Sequence, residues 1–336
     1  MMRTRLLYLL LMLIEAASSG CSRKAGSDLP EGCATGDAVP AAVRADLESA
    51  AKGLYDRART GDWKGIYEHA AAAARTKGPA EAFIGPLTHT FQQLGVPSET
   101  ETDAVALVKF GPGFPQTVRV TCGDPERPLR LIVTEAPLQA SLVQRAPVQN
   151  EQFFYSTLWH GEEGTWRLAA LFAKPATLLG KDWRAYQKQA EAQNDAGNKR
   201  NAALLYNTAI DLVLPNAWTE PPEVKELERE QSRISVSDLP KQNAAITWHA
   251  PPDSFRVHSV SYGVVGNDLC LVVRYEASAA LADTIALNRA GDVLLRYVEK
   301  SFPEYPQVFR RLALEAFDPQ HPEATWTRLN PLRSPS

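Results

Sequence analysis

Residues 153–172 read FFYSTLWHGEEGTWRLAALF, and this stretch indicates the kind of fold expected in the first half of the chain. Large or β-branched side chains occupy alternate positions before the glycines. After them, apolar side chains alternate again at Trp166, Leu168, Ala170 and Phe172. This period-two pattern is typical of strands with one buried face. The intervening GEEG at 161–164 predicts a four-residue turn. The stretch therefore predicts a long antiparallel hairpin rich in aromatic residues, whose first strand presents on one face Phe153, Tyr155, Thr157 and Trp159.

Helical patterns precede these strands. Apolar residues recur at helical spacing over 43–58, Gly61 ends that helix, and Asp62 can cap the next one. A further helical stretch occupies 78–95, and Pro86 is expected to break or kink it. Period-two patterns then predict further strands at 104–110, 117–122 and 129–133.

This order of elements, with helices first and an aromatic hairpin last, resembles the ketosteroid-isomerase-like superfamily, which also contains nuclear transport factor two. The residues that carry the resemblance are the helix 47–59, the following Gly61-Asp62-Trp63, and the hairpin with its Trp166-Arg167-Leu168. The resemblance implies an α+β domain at 41–175, in which helices pack on a curved antiparallel sheet and leave a conical cavity. Members of this superfamily include enzymes as well as binding and assembly modules, so the fold leaves the function open.

Residues 181–234 have a different pattern, which resembles one tetratricopeptide repeat. The spacing of glycine, +5, +9 and +12 is met by Gly197, Ala202, Tyr206 and Ala209. One helical hairpin cannot bury its own face, so we expect it to pack on a neighbouring unit or to be continued by 224–234. Arrays of such repeats bind peptides in a groove, which would imply a protein or peptide partner. The other interpretation of a single hairpin is a structural connector.

The last unit, expected at 245–330, carries no family signature. It predicts a small α+β layer with strands at 255–262 and 269–275, then an amphipathic helix, and then strands at 311–317 and 325–329. The proline-containing segments 216–222 and 235–252 are expected to be loops.

The first 21 residues have the features of an export signal. Arg3 and Arg5 precede an apolar run at 6–14, which is too short to span a bilayer. The ending Ser18-Ser19-Gly20-Cys21 resembles the lipobox of bacterial lipoproteins, except that the family prefers Leu where Ser18 stands. The resemblance implies a signal peptide at 1–20 and a diacylglycerol on the thiol of Cys21. The lipid would anchor the chain to a bacterial membrane, facing the periplasm or the exterior.

The alternative to an anchor is ordinary cleavage after a small residue, which would give a soluble secreted protein. In either case, residues 21–40 are small and polar and predict a flexible tether before the first domain. Three cysteines remain besides Cys21. Cys270 lies in an apolar run and is expected to be a buried thiol. Cys33 and Cys122 could form a disulfide in an oxidising compartment, or could remain two free thiols.

The sequence contains none of the usual phosphate-binding, dinucleotide, zinc or nucleophile-elbow motifs, and it predicts no catalytic residue, no metal and no cofactor. In the cone-like fold, His69 and His160 could line a cavity mouth, with Tyr67 and Tyr155 as companions. An acid–base role would need these histidines beside a carboxylate or a tyrosine in a dry pocket. Alternatively, the two histidines are ordinary surface residues and the two tyrosines belong to the core.

These observations lead to a principal hypothesis and two alternatives. The formal net charge is −3 and no basic patch indicates a nucleic acid partner. The leading hypothesis is a non-enzymatic exported lipoprotein that acts as a binding or scaffolding module at the bacterial envelope. The alternatives are a periplasmic small-ligand binder, and an isomerase-, dehydratase- or hydrolase-type enzyme that uses the cone.

Overall fold

The computed structural model describes residues 29, 31–111, 117–134, 136–241 and 244–333. The expected signal peptide at 1–20 and the expected lipid site Cys21 lie outside these residues. Over the described part, the chain has the α+β class that its sequence predicts.

The first half contains helices packed on a five-stranded antiparallel sheet. The helices are α1 (Ala41–Thr60), α2 (Trp63–Glu68), α3 (Ala72–Thr76) and α4 (Ala80–Leu94). The strands, adjacent in this order, are β1 (Gly32–Thr35), β2 (Glu101–Lys109), β5 (Leu138–Val148), β6 (Glu151–Glu162) and β7 (Thr165–Pro175).

Local sequence signals set the ends of these helices. Gly61 ends α1 with a left-handed φ of 73°, a conformation that glycine adopts without a steric penalty. The Asp62 side chain accepts a hydrogen bond from the Gly65 N–H and so caps α2. By contrast, Pro86 does not break α4, which continues to Leu94 because the turns beyond the proline bury Leu87 and Phe91.

The β6–β7 hairpin forms as predicted, but its turn is tighter than the expected 161–164. β6 continues to Glu162 and β7 begins at Thr165, which leaves a two-residue turn of Glu163 and Gly164. Both residues have positive φ, 50° and 76°, as a type I′ turn requires. Glu163 therefore adopts a conformation that is uncommon for a residue with a side chain.

The sequence predicts a flexible tether as far as residue 40, but residues 32–38 form regular secondary structure. Gly32–Thr35 pair with β2 as the strand β1, and Gly36–Ala38 form a short 3-10 turn that leads into α1. The last part of the expected tether therefore belongs to the sheet. Its small side chains and glycines give no strand pattern, since an edge strand needs backbone pairing more than a hydrophobic face.

The strands expected at 117–122 and 129–133 form a second sheet instead of joining the hairpin. They are β3 (Thr117–Cys122) and β4 (Leu129–Thr134), and β4 also pairs with β8 (Thr219–Glu220). β8 lies within 216–222, which the prolines had marked as a loop. β8 forms by pairing with a strand about 90 residues away, so no local sequence pattern predicts it.

The second half combines three helices with a five-stranded sheet. The helices α5 (Trp183–Asp195), α6 (Lys199–Val213) and α7 (Pro222–Ser232) occupy the region that resembles a tetratricopeptide repeat. The sheet contains β9 (Ile246–Ala250), β10 (Asp253–Val265), β11 (Asp268–Glu276), β12 (Arg311–Asp318) and β13 (His321–Pro331). A helix, α8 (Thr284–Ser301), crosses over between β11 and β12, which are parallel. β9 was missed because it lies in the expected loop 235–252.

The helices α5–α7 share one hydrophobic core with this sheet. Tyr186 and Ala190 of α5, and Leu205 of α6, belong to the same cluster as Phe255 and Leu271. The helical hairpin of α5 and α6 therefore buries its apolar face against the sheet of the second half. It is also continued by α7, as the sequence predicts for a single helical hairpin. The helices α5–α7 and this sheet therefore pack around one hydrophobic core.

The two halves meet along the segment before β8. The Ser156 hydroxyl on β6 donates to the carbonyl of Pro215, and the Trp218 indole N–H donates to the Ser141 hydroxyl on β5. Ser141 and Ser156 are buried although they are polar, because this segment covers them and satisfies their hydrogen bonds.

Candidate functional site

Aromatic side chains pack together between the helices and the first sheet. The Tyr155 ring stacks on Phe91 at 6.5 Å and meets the edge of Tyr55 at 6.2 Å. Tyr155 has no exposed surface, and its burial raises the pKa of its phenol. Tyr155, which the sequence suggested as a cavity-lining residue, is therefore a core residue.

The other three candidate residues do not converge on one site. The Tyr67 hydroxyl donates to the Arg75 carbonyl, and its ring packs on Phe83. His160 is buried and lines a depression of about 280 Å³ with residues of α3 and α4. His69 ends α2 and lines a different groove. The structure thus does not bring His69 and His160 together as an acid–base pair.

The groove that contains His69 runs along one flank of α1, and we call it the α1 groove. It is open to solvent, has a volume of about 580 Å³, and lies between α1 and the β6–β7 hairpin. Small residues of α1 form one wall, and two indoles from the hairpin contribute to the other. The residues that line it include Ala42, Asp46, Ser49, Ala50, Gly53, Leu54, Arg57, Ile66, His69, Trp159, Thr165, Trp166 and Leu168.

Arg57 and His69 form a polar pair at one end of the α1 groove. The Arg57 guanidinium Nη2 lies 3.3 Å from Nε2 of His69, and Nδ1 of His69 lies 2.8 Å from the Gly65 carbonyl oxygen. A carbonyl oxygen only accepts, so Nδ1 carries the proton and Nε2 accepts from Arg57. The Arg57 Nε also lies 3.8 Å from a carboxylate oxygen of Asp62. Both ring nitrogens of His69 are therefore engaged in holding Arg57.

The opposite flank of α1 borders a second groove of about 630 Å³, which is polar. Its charged side chains pair with one another: Asp56 accepts from Lys52 and from Arg59, both at 2.7 Å. The Tyr55 hydroxyl donates to the Gln144 side chain at 3.0 Å, and burial raises the pKa of Tyr55 well above its usual range. This groove thus has its principal charges already compensated.

Cys33 and Cys122 form a disulfide, with their Cα atoms 5.5 Å apart. The bond joins β1 of the first sheet to β3 of the second. Cys270 is a buried free thiol, as expected, and burial raises its pKa.

Sequence reasoning missed Arg57, Gly53 and Trp166 as groove residues. A glycine inside a strongly periodic helix was the available signal for Gly53, since glycine in a helix interior is destabilising. No sequence signal pairs Arg57 with His69, because their contact depends on the turn between α1 and α2.

Within the described residues, no cluster of three or more His, Cys, Asp or Glu side chains could hold a metal ion, and none of the helices is long and apolar enough to cross a membrane. Comparison with known proteins assigns no family: no family model matches the chain, and neither a curated protein nor a solved structure matches it significantly.

Proposed function

We propose that this chain is an exported, lipid-anchored, non-enzymatic binding module at a bacterial envelope, with the α1 groove as its binding site. The observation that carries the binding role is the groove itself. A partly exposed indole, that of Trp166, lies together with small side chains of α1 and the oriented guanidinium of Arg57, and the largely buried Trp159 also lines the groove. Concave sites lined by aromatic side chains with a few placed polar groups are typical of ligand sites.

The disulfide between Cys33 and Cys122 supports export. Such bonds persist in oxidising compartments such as the bacterial periplasm and are rare in the cytosol. It agrees with the signal-like features of residues 1–20 and with the lipobox-like ending at Cys21.

An anchor at Cys21 would keep the domain close to the membrane. The disulfide fixes Cys33 to the folded body, and twelve residue steps separate it from Cys21. At a maximum of about 3.6 Å per residue, this segment spans no more than about 43 Å. The binding surface would therefore work within a short distance of the bilayer.

The hydrogen bonding of His69 supports binding rather than catalysis. Its Nδ1–H is donated to a backbone carbonyl and its Nε2 accepts from Arg57, so the imidazole positions the guanidinium. A general base would need a nitrogen free to reach the substrate proton.

The anchoring part is tested by expressing the full chain in a bacterial host supplied with an alkyne-tagged palmitate. We expect the wild type to carry the label and to fractionate with membranes, and Cys21→Ala to lose both properties. Ser22→Ala is the matched control and should keep them. Unlabelled wild type in the soluble fraction would refute the lipid anchor.

A further inference from the structure

We infer that the ligand of the α1 groove is a molecule with a planar ring system and one anionic group, and that this group lies at the Arg57 end. The inference rests on the proposed role of this groove as a binding site. It specifies the ligand's shape, its charge and its orientation.

The walls of the groove favour a flat molecule. Trp159 and Trp166 are contributed by neighbouring strands, and α1 faces them with Ala50 and Gly53. A Cβ atom placed on Gly53 would meet no heavy atom within 4 Å, so the space beside this residue is open. Trp166 is partly exposed, whereas Trp159 is almost fully buried. A partly exposed indole across from small side chains suits a ring system, which gains by stacking and by burial of apolar surface.

The charges of the groove distinguish its two ends. Arg57 lies at one end, and Asp46 lies towards the other end, eleven residues earlier on the same helix. At 1.5 Å per residue, this places them about 16 Å apart along the helix axis. An anionic group is therefore attracted to the Arg57 end and repelled from the Asp46 end, which gives the ligand one preferred direction.

Arg57 remains able to bind an anion while it contacts its protein partners. The guanidinium has five N–H donors, of which one reaches His69, and Asp62 approaches Nε only to 3.8 Å. His69 holds the guanidinium without adding or cancelling charge, since its Nδ1–H tautomer is neutral. The guanidinium fork is well suited to carboxylate, sulfonate or phosphate oxygens.

Two fluorescent dyes with the same aromatic skeleton test the inference on the purified full chain. Anilinonaphthalene sulfonate carries a sulfonate, whereas N-phenyl-naphthylamine is neutral. We expect both dyes to bind the wild type, the sulfonate more tightly. Arg57→Gln should weaken binding of the sulfonate dye about tenfold, which is the loss expected for one charge-assisted hydrogen bond. It should change binding of the neutral dye by less than about twofold.

Filling the groove should abolish binding of both dyes. Gly53→Leu places a side chain in the open space beside residue 53 of the groove. Ser49→Leu does the same from an exposed position one helical turn earlier. If one variant does not fold, the other still tests the site. Gly85→Leu is the matched control, because Gly85 also lies in a helix with no heavy atom near its Cβ position but outside the groove. It should bind both dyes as the wild type does.

The outcomes separate this inference from the proposed function. If the groove-filling variants lose both dyes but Arg57→Gln affects neither, the groove binds ligands as proposed and the inferred anionic group is wrong. If folded Gly53→Leu and Ser49→Leu bind both dyes normally, neither the inferred ligand nor the proposed binding site survives. The palmitate experiment tests the anchor independently of either result.

Discussion

The Sγ atom of Cys33 is bonded to that of Cys122, which lies 89 residues further along the chain. The bond fixes β1, a four-residue edge strand, to β3 of the second sheet. So short a strand has little apolar surface to bury, and the disulfide supplies a constraint that packing alone would not.

Cys33→Ser combined with Cys122→Ser should lower the free energy of unfolding by about 2–4 kcal/mol, because the unfolded chain regains the freedom that the closed loop removes. Urea unfolding followed by circular dichroism measures the change. Dithiothreitol should destabilise the wild type to a similar extent and leave the double variant unchanged. Equal stability of the two oxidised proteins would show that the bond contributes nothing.

Glu163→Asn should stabilise the protein by about 0.5–1 kcal/mol. Glu163 has a φ of 50° at the first position of the type I′ turn, where Asn followed by Gly is preferred. The expected result is a higher urea midpoint with an unchanged slope. Glu162→Asn is the comparison, since Glu162 lies on the preceding strand and should bring no such gain. A lower midpoint for Glu163→Asn would contradict the turn geometry.

Gly53→Ala should raise stability by up to about 1 kcal/mol, because alanine is the better helix former and the added methyl group meets no neighbour. Gly65→Ala should have the opposite effect. Its Cβ would overlap the Asp62 carboxylate that caps α2, and loss of a cap costs about 1 kcal/mol. Thermal unfolding of both variants measures the contrast, and a stabilising Gly65→Ala would disprove the capping contact.

Stability should fall as the pH rises from about 10 to 12. Burial raises the pKa of Tyr186 and of Tyr275 to about 12, against about 10 for a tyrosine in an unfolded chain. The unfolded state therefore releases these protons first, and the stability present below pH 10 is lost through this window. Tyrosinate absorbance should rise cooperatively with the loss of far-ultraviolet dichroism. Ionisation of all ten tyrosines near pH 10 in a folded protein would contradict this.

Much of the fold could be predicted because its signals are local. Gly61, Asp62 and the alternation within 153–172 act on their immediate neighbours, and the structure places the helix ends and the hairpin where these residues indicate. The second sheet could not be predicted in this way. β4 pairs with β8 across about 90 residues, and two residues are too few to show a period.

The candidate site was less predictable than the fold. His69 was singled out for its position after α2, which the structure confirms, but its partner Arg57 depends on how the chain turns at Gly61. The sequence does not distinguish a cavity position from a core position for Tyr155, because aromatic residues suit both equally well. Only its stacking against Phe91 shows that it belongs to the core.

The pairing of β8 with β4 affects the order in which the protein can mature. Ribosomes make the chain from its N-terminus, so β4 emerges long before Thr219 and Glu220 exist. Until then the outer edge of β4 is unpaired, and Ser141 and Ser156 lack the segment that covers them. The second sheet is therefore completed only after about two thirds of the polypeptide has been made, and a truncation at residue 180 leaves Arg130 and Leu131 without their partners in β8.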